Sequence, residues 1–328
     1  MSIVGPFDDP ELEARVRARL DEIETQLAHA VISDHDLIAN ASRHLLAAGG
    51  KRFRPLLVVL AAEFGDASSA GVVPAALVVE LTHVATLYHD DVMDEADLRR
   101  GAPSANARWD NSIAILTGDL LFAKASEIVA DLGPGAVRVQ AQTFARLVSG
   151  QIRETAGPAN GADPIMHHLA VLSDKTASLI ATSMRLGAMV AGVDPQIEQR
   201  LAEYGEEIGM AFQLSDDIID ITGDRSDLGK TPGTDLREGI STLPTLLAQR
   251  STRTEDARLR DLLEAAIPDP ADHAEALALL RGNPAIDEAR AEVSRRAERA
   301  RDLMGGVPSG PARDALIMLC DVVVSRTS

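Results

Sequence analysis

At 328 residues the chain is long enough to bury a large helical core around an elongated apolar space. Hydrophobic residues make up 45% and charged residues 25%, the balance of a globular protein with little room for disorder. A net charge of -18 and an aromatic content of 3% exclude nucleic acid as a partner, because phosphate backbones attract cationic surfaces and bases stack on rings.

In chain order, the N-terminus (MSIVGPFDDPELEARV) lacks a basic region followed by an apolar run. No stretch approaches the ~18 uninterrupted apolar residues of a membrane span, so the chain reads as soluble, unprocessed and cytoplasmic. Apolar residues then recur at helical spacing, as in Leu77, Leu81, Val84 and Leu87, then Leu116, Leu120 and Leu121, then Leu179, Met184, Leu186 and Met189. Alternating β-branched runs are missing, which predicts an all-α fold without strands. Breakers at residues 64–74, 131–135, 155–164, 192–195, 267–270 and 305–311 divide the chain into helices of ordinary length. None is long enough to link domains, so a single domain over 1–328 is expected, with a flexible N-terminus at 1–10. Thr222 to Gly239 reads as a long polar loop, of the kind that is usually functional. The lone cysteine, Cys320, rules out an internal disulfide and reads as a small apolar residue in a reducing compartment.

Two identical DDxxD clusters stand out, Asp90-Asp91-Asp94 and Asp216-Asp217-Asp220. Each ends an apolar helical run, where its first and last aspartates share one face and can chelate together. Like charges at this spacing repel, and a helix C-terminus disfavours anions, so the arrangement costs stability unless a cation is bound. Oxygen-only ligands at this density suit magnesium, which completes its shell with water and substrate phosphate. No DxDxDG calcium loop is present.

Basic and polar residues accompany the acids. GGKRFRP sets Lys51, Arg52 and Arg54 at a helix start, an anion site of amides and cations. His83 lies two turns before Asp90 on the same face. Arg99 and Arg100 follow the first cluster closely enough to neutralise phosphates held by its metals. Lys175 and Thr176 in SDKTASL, Gln213 in FQLSDD and Lys230 in DLGKTPGTD add two cations, a hydroxyl and an amide. Lys230 sits where a lid over a diphosphate would need it.

Taken in order, GGKRFRP, ELTHVATLYHDDVMDEADLRRG, GDLLFAKA, SDKTASL, FQLSDDIID and DLGKTPGTDLREG resemble the trans-isoprenyl diphosphate synthase, or polyprenyl synthetase, family over residues 40 to 245. The resemblance implies the isoprenoid synthase fold, a helical bundle around a deep cavity with the two clusters at its mouth. It implies condensation of isopentenyl diphosphate with an allylic diphosphate such as farnesyl diphosphate, by a homodimer with at most peripheral membrane contact. Asp90, Asp94 and Asp216 would then ligate about three magnesium ions, with Asp91, Asp217 and Asp220 in support. Arg99, Lys175 and Lys230 would hold the allylic diphosphate. Lys51, Arg54, His83 and Arg100 would hold isopentenyl diphosphate, with Thr176 and Gln213 near the reacting centre and Arg326 closing over the site. A terpene cyclase would need an NDxxSxxxE box where this chain has DDIID, and a non-catalytic subunit would have eroded aspartates. One departure is Ile240, which stands where the family has the lysine of EGK, with Arg237 as the neighbouring substitute.

Residues four and five before Asp90 are Thr86 and Ala85, where short-chain relatives place aromatic floors. Thr82, Val78 and Val79 continue this wall at ~1.5 Å per residue without a plug. A long product for quinone side chains is expected, C30 to C50, with a geranylgeranyl or shorter product as the alternative.

Overall fold

The computed structural model describes residues 7–223 and 232–327, which are overwhelmingly helical. In order come α1 (Pro10–Ala30), α2 (Asp36–Ala47), α3 (Phe53–Ala62) and α4 (Val72–Met93), then strands β1 (Leu98–Arg99) and β2 (Ala102–Pro103). Next are α5 (Ala105–Arg108), α6 (Asn111–Asp131), α7 (Pro134–Ala156), α8 (Pro164–Leu172), a π-helical turn (Ser173–Ala177), α9 (Ser178–Val190) and α10 (Pro195–Thr222). The remainder is α11 (Thr234–Glu238), α12 (Leu243–Arg250), a 3-10 turn (Thr254–Asp256), α13 (Ala257–Leu262), α14 (Pro270–Arg281), α15 (Pro284–Met304) and α16 (Pro311–Ser325). This is the all-α architecture that the periodicity predicts.

Helix starts follow cap chemistry. Asp9, Asp163, Asp269 and Asn283 accept backbone N–H groups at the starts of α1, α8, α14 and α15, each followed at once by proline. Proline there has no N–H to lose and its φ suits the first turn. Phe7 is buried ahead of the α1 cap.

The chain divides into two compact units. The first takes the described residues of Met1–Phe144, Leu179–Ala202 and Gly306–Leu316. Its centre is α4, packed along α6 and against α1 and α3. α4 is long and apolar enough to cross a membrane by length and composition, but most of it is buried inside the protein. A helix apolar all round is a core helix. Its approach to α6 depends on Gly118, where a Cβ would lie 2.3 Å from His89 Nε2 and 3.2 Å from the Ala85 carbonyl oxygen. The second unit takes the described residues of Ala145–Ser178, Glu203–Gly305 and Ile317–Ser328. There α12 packs on α8, α13, α14 and α15, and α10 buries Tyr204, Ile208, Ala211, Leu214, Ile218 and Ile221. Cys320 is buried beside Tyr204, and burial pushes its thiol up to about 11.

Two expectations need correction. The sequence reading has no strand, yet β1 and β2 form a short antiparallel hairpin with Arg99 opposite Ala102. Its turn residues, Arg100 and Gly101, have φ of 53° and 77°. Positive φ at both positions is the type I′ pattern, usually announced by Asn-Gly, so Arg-Gly gave no warning. The predicted loop from Thr222 to Gly239 also contains a helical turn, α11, ended by Gly239 in the left-handed region. Lys230 lies outside the described residues.

Candidate active site

In the first unit, the first aspartate cluster closes α4. Asp90 and Asp91 belong to its last turn, and Asp94 is the C-cap, its N–H bonded to the Asp90 carbonyl at 2.8 Å. The three carboxylates are not equivalent. Asp91 is fully buried and accepts from Arg99 Nε at 2.5 Å, while the Asp94 side chain is 46% exposed, 3.9 Å from the same guanidinium. Burial pushes the Asp91 carboxyl up, against the pull of Arg99. One Asp91 oxygen, Oδ2, is buried without a hydrogen bond. Asp90 is part-exposed on the helix face it shares with Asp94.

The hairpin that fixes Arg99 also aims Arg100 inward. Arg100 donates to the Leu45 carbonyl at 2.8 Å and to the Gly49 carbonyl, closing the carboxyl end of α2. Tyr88 ties that end to α4, its hydroxyl donating to the Ala41 carbonyl and accepting from the Leu45 N–H. Beside them is GGKRFRP. Arg52 takes φ of 45° as the residue before α3 and turns into the protein, paired with Glu24 at 2.7 Å and buried Glu80 at 2.9 Å. It braces the loop, which leaves Lys51, exposed, and Arg54 as the cations of the expected anion site. Arg54 Nε is buried without a hydrogen bond, and desolvation brings its guanidinium down to about 10. His83 is held well below the usual imidazole range by burial first, then by Arg54, Arg100, Arg52 and Arg99. The ring is therefore neutral among guanidiniums, a donor set built for an anion.

In the second unit, the second cluster lies in the last turns of α10. Asp217 and Asp220 are buried; the Asp216 side chain is 39% exposed and accepts from Arg326 NH2 at 2.5 Å. The same guanidinium stacks on Phe212, 4.8 Å from the ring centroid. Lys175 and Thr176 sit in the π-helical turn, a widened geometry frequent at functional sites. Thr176 donates to Gln213 Oε1 at 3.2 Å, and Gln213 Nε2 donates to Asp217 Oδ1 at 3.1 Å. Lys175 pairs with Glu154 at 2.5 Å, a partner the sequence did not suggest. Nor did it suggest His168, whose Nε2 is 3.5 Å from Asp217 Oδ2. The backbone after the cluster is pinned to it, since Asp235 N–H donates to Asp220 Oδ2 at 3.2 Å. Ile240 is exposed just past α11, and Arg237 is exposed on that helix.

Oxygen-only carboxylate pairs fit a hard divalent cation, and buried Asp91 Oδ2 and Asp217 Oδ2 without hydrogen bonds mark both clusters as electrostatically incomplete. Among the described residues no group of three or more His, Cys, Asp or Glu side chains is arranged to hold an ion alone. A cation here needs further oxygens from substrate or solvent.

Paired carboxylates and buried guanidiniums on an all-α scaffold suit a divalent cation and an anionic ligand, and the fold is the isoprenoid synthase fold. The chain belongs to the polyprenyl synthetase family, whose model matches residues 35–280. It is 47% identical to nonaprenyl diphosphate synthase of Mycobacterium tuberculosis over 97% of this chain and 95% of that one. A geranylgeranyl pyrophosphate synthase from Corynebacterium glutamicum, crystallised with calcium and isoprenyl diphosphate, superposes with a TM-score of 0.89 at 44% identity, covering 98% of this chain and 99% of the other. A decaprenyl diphosphate synthase from Rhodobacter capsulatus does so at 0.88 and 31% identity, with 97% and 99% covered. The protein is a trans-prenyltransferase.

Proposed function

We propose that the chain condenses isopentenyl diphosphate with an allylic diphosphate such as farnesyl diphosphate, making an all-trans polyprenyl diphosphate of roughly six to ten units. The observation that carries the reading is the first cluster, with Asp90 part-exposed and Asp94 exposed on one helix face, Asp91 buried against Arg99, and small Ala85 and Thr86 just below. The 47% identity to a nonaprenyl synthase supports the long product; the 44% identity to a geranylgeranyl synthase keeps the shorter one as the second reading.

Asp90, Asp94 and Asp216 would hold magnesium, about three ions per site, which when bound supplies positive charge to the departing diphosphate. Asp91, Asp217 and Asp220 support them from buried positions. Arg99 and Lys175 exchange carboxylate partners for allylic phosphate oxygens, joined by Lys230. Lys51, Arg54, Arg100 and neutral His83 grip the diphosphate of isopentenyl diphosphate, His83 through an N–H rather than a charge. The allylic C–O bond breaks with its electron pair leaving on diphosphate, and the isopentenyl double bond attacks the resulting allylic cation beside Thr176 and Gln213. The released proton passes to diphosphate. Water must be excluded because it would quench the cation, and Arg326, which pairs with Asp216, would help cover that cluster. The enzyme works as one catalytic domain over the whole chain, in the cytoplasm, as a homodimer.

Purified protein with isopentenyl diphosphate, farnesyl diphosphate and magnesium should yield products longer than geranylgeranyl diphosphate, sized by reversed-phase chromatography. Products stopping at four isoprene units would establish the second reading. No elongation would remove both.

A further inference from the structure

The second aspartate cluster is clasped by a residue that none of the recognised motifs contains. Two side chains from the helical run of α8 and the π-turn, His168 and Thr176, reach two side chains one turn apart on α10, Asp217 and Gln213. Within this clasp two polar directions are set. Gln213 Oε1 accepts from Thr176, so its amide must donate to Asp217 Oδ1. The other carboxylate oxygen, Oδ2, faces His168 Nε2 at 3.5 Å. Both side chains are nearly enclosed, 11% and 8% exposed, and among the described residues neither atom has a hydrogen-bond partner, so the two unsatisfied atoms face each other just beyond bonding geometry.

A carboxylate so enclosed is costly unless both oxygens are satisfied. Gln213 satisfies one; among the described residues His168 Nε2 faces the other at 3.5 Å, and a small adjustment of either side chain would join them. Asp217 is flanked by Asp216 and shares the end of α10 with Asp220, so a contact that holds Asp217 steadies the helix end from which all three carboxylates project. The clasp also joins the π-turn that carries Lys175 to the same stretch of helix. A slip at His168 would therefore loosen the cluster and the lysine turn together.

We propose that His168 is a positioning residue: by presenting Nε2–H to Asp217 Oδ2 it locks the second aspartate cluster and the Lys175–Thr176 turn into one geometry competent to bind a divalent cation. The inference rests on the prenyl-transfer reading of the site. It concerns geometry, not charge, so a side chain that keeps an N–H at the same reach should substitute.

The test compares His168→Leu with His168→Gln, whose amide nitrogen extends about as far as Nε2. The first readout is Mn2+ binding by electron paramagnetic resonance, with a non-ionising thio-analogue of farnesyl diphosphate present. The leucine variant should bind Mn2+ about tenfold or more weakly, as loss of a supporting hydrogen bond does at metal sites, and the glutamine variant should recover most of it. In elongation assays the leucine variant should lose kcat and need more magnesium, with KM for isopentenyl diphosphate within about twofold of wild type. Wild-type Mn2+ affinity in the leucine variant would overturn the proposal, as would equal loss in both variants. So would a deficit that tracks a lowered melting temperature and is absent at temperatures where the variant is fully folded. A wild-type protein that does not elongate would instead overturn the parent reading.

Discussion

His83 and Ala85 lie two residues apart on α4 and make opposite demands on it. His83 is polar, neutral and surrounded by Arg54, Arg100, Arg52 and Arg99, with burial the largest cause of its depressed pKa. In the unfolded chain it titrates near 6.5. Below that value the unfolded state takes up a proton that the folded state refuses, so this residue's share of stability is present above pH 6.5 and lost as the pH falls. The slope from one such group is at most about 1.4 kcal/mol per pH unit. His83→Asn should flatten the acid limb of urea midpoints below pH 6.5; parallel limbs would show the proton is refused elsewhere. Ala85 tests product length. It is fully buried, and Ala85→Phe should shorten the products at an overpacking cost of about 1–3 kcal/mol, checked by chromatography and a melting curve. An unchanged length distribution in a folded variant would refute the floor. At this scale the aspartates were legible because two copies of a locally unfavourable pattern need a reason. Arg52 and His168 were not, since a basic residue at a helix entry and a histidine in an apolar helix reveal nothing until Glu24, Glu80 and Asp217 arrive from distant parts of the chain.

Elements divide along a similar line. Long helices were readable because proline and aspartate at their starts and a 3.6-residue apolar period are local signals, as at α1, α8 and α14. The hairpin and the π-turn were not, because two-residue strands have no period and a π-turn differs from an α-helix by one hydrogen-bond register. Both carry cations that the proposed chemistry uses. The hairpin turn gives a direct test. At Gly101 a Cβ would meet open space, yet φ of 77° penalises any β-branched residue, so strain acts without a clash. Gly101→Val should cost about 1–2 kcal/mol and shift Arg99 and Arg100 together. KM for isopentenyl diphosphate should rise, and Gly101→Asn, which tolerates the left-handed region, should largely spare it. Equal effects of valine and asparagine would mean that backbone freedom at this turn does not matter to substrate binding.

On the scale of the whole molecule, a net charge of -18 keeps like chains apart, so self-association needs a surface that pays back the repulsion. α7 offers one. Val137, Phe144, Val148 and Ile152 are all exposed, Ile152 by 63%, at intervals of seven, four and four residues. That spacing places them along one side of the helix, while Arg138, Arg146 and Arg153 fall elsewhere on it. Large apolar residues in a continuous exposed row on a soluble monomer are rare, and such rows mark association surfaces. The proposed homodimer would cover them, and charge placed in their midst would have to be desolvated on pairing. Wild-type protein should sediment at twice the 34.8 kDa chain mass. Val148→Glu combined with Ile152→Glu should sediment as a folded monomer, with the far-ultraviolet helical signal unchanged. A double variant that stays dimeric would move the interface away from α7, and a wild-type monomer would remove the homodimer from the proposal.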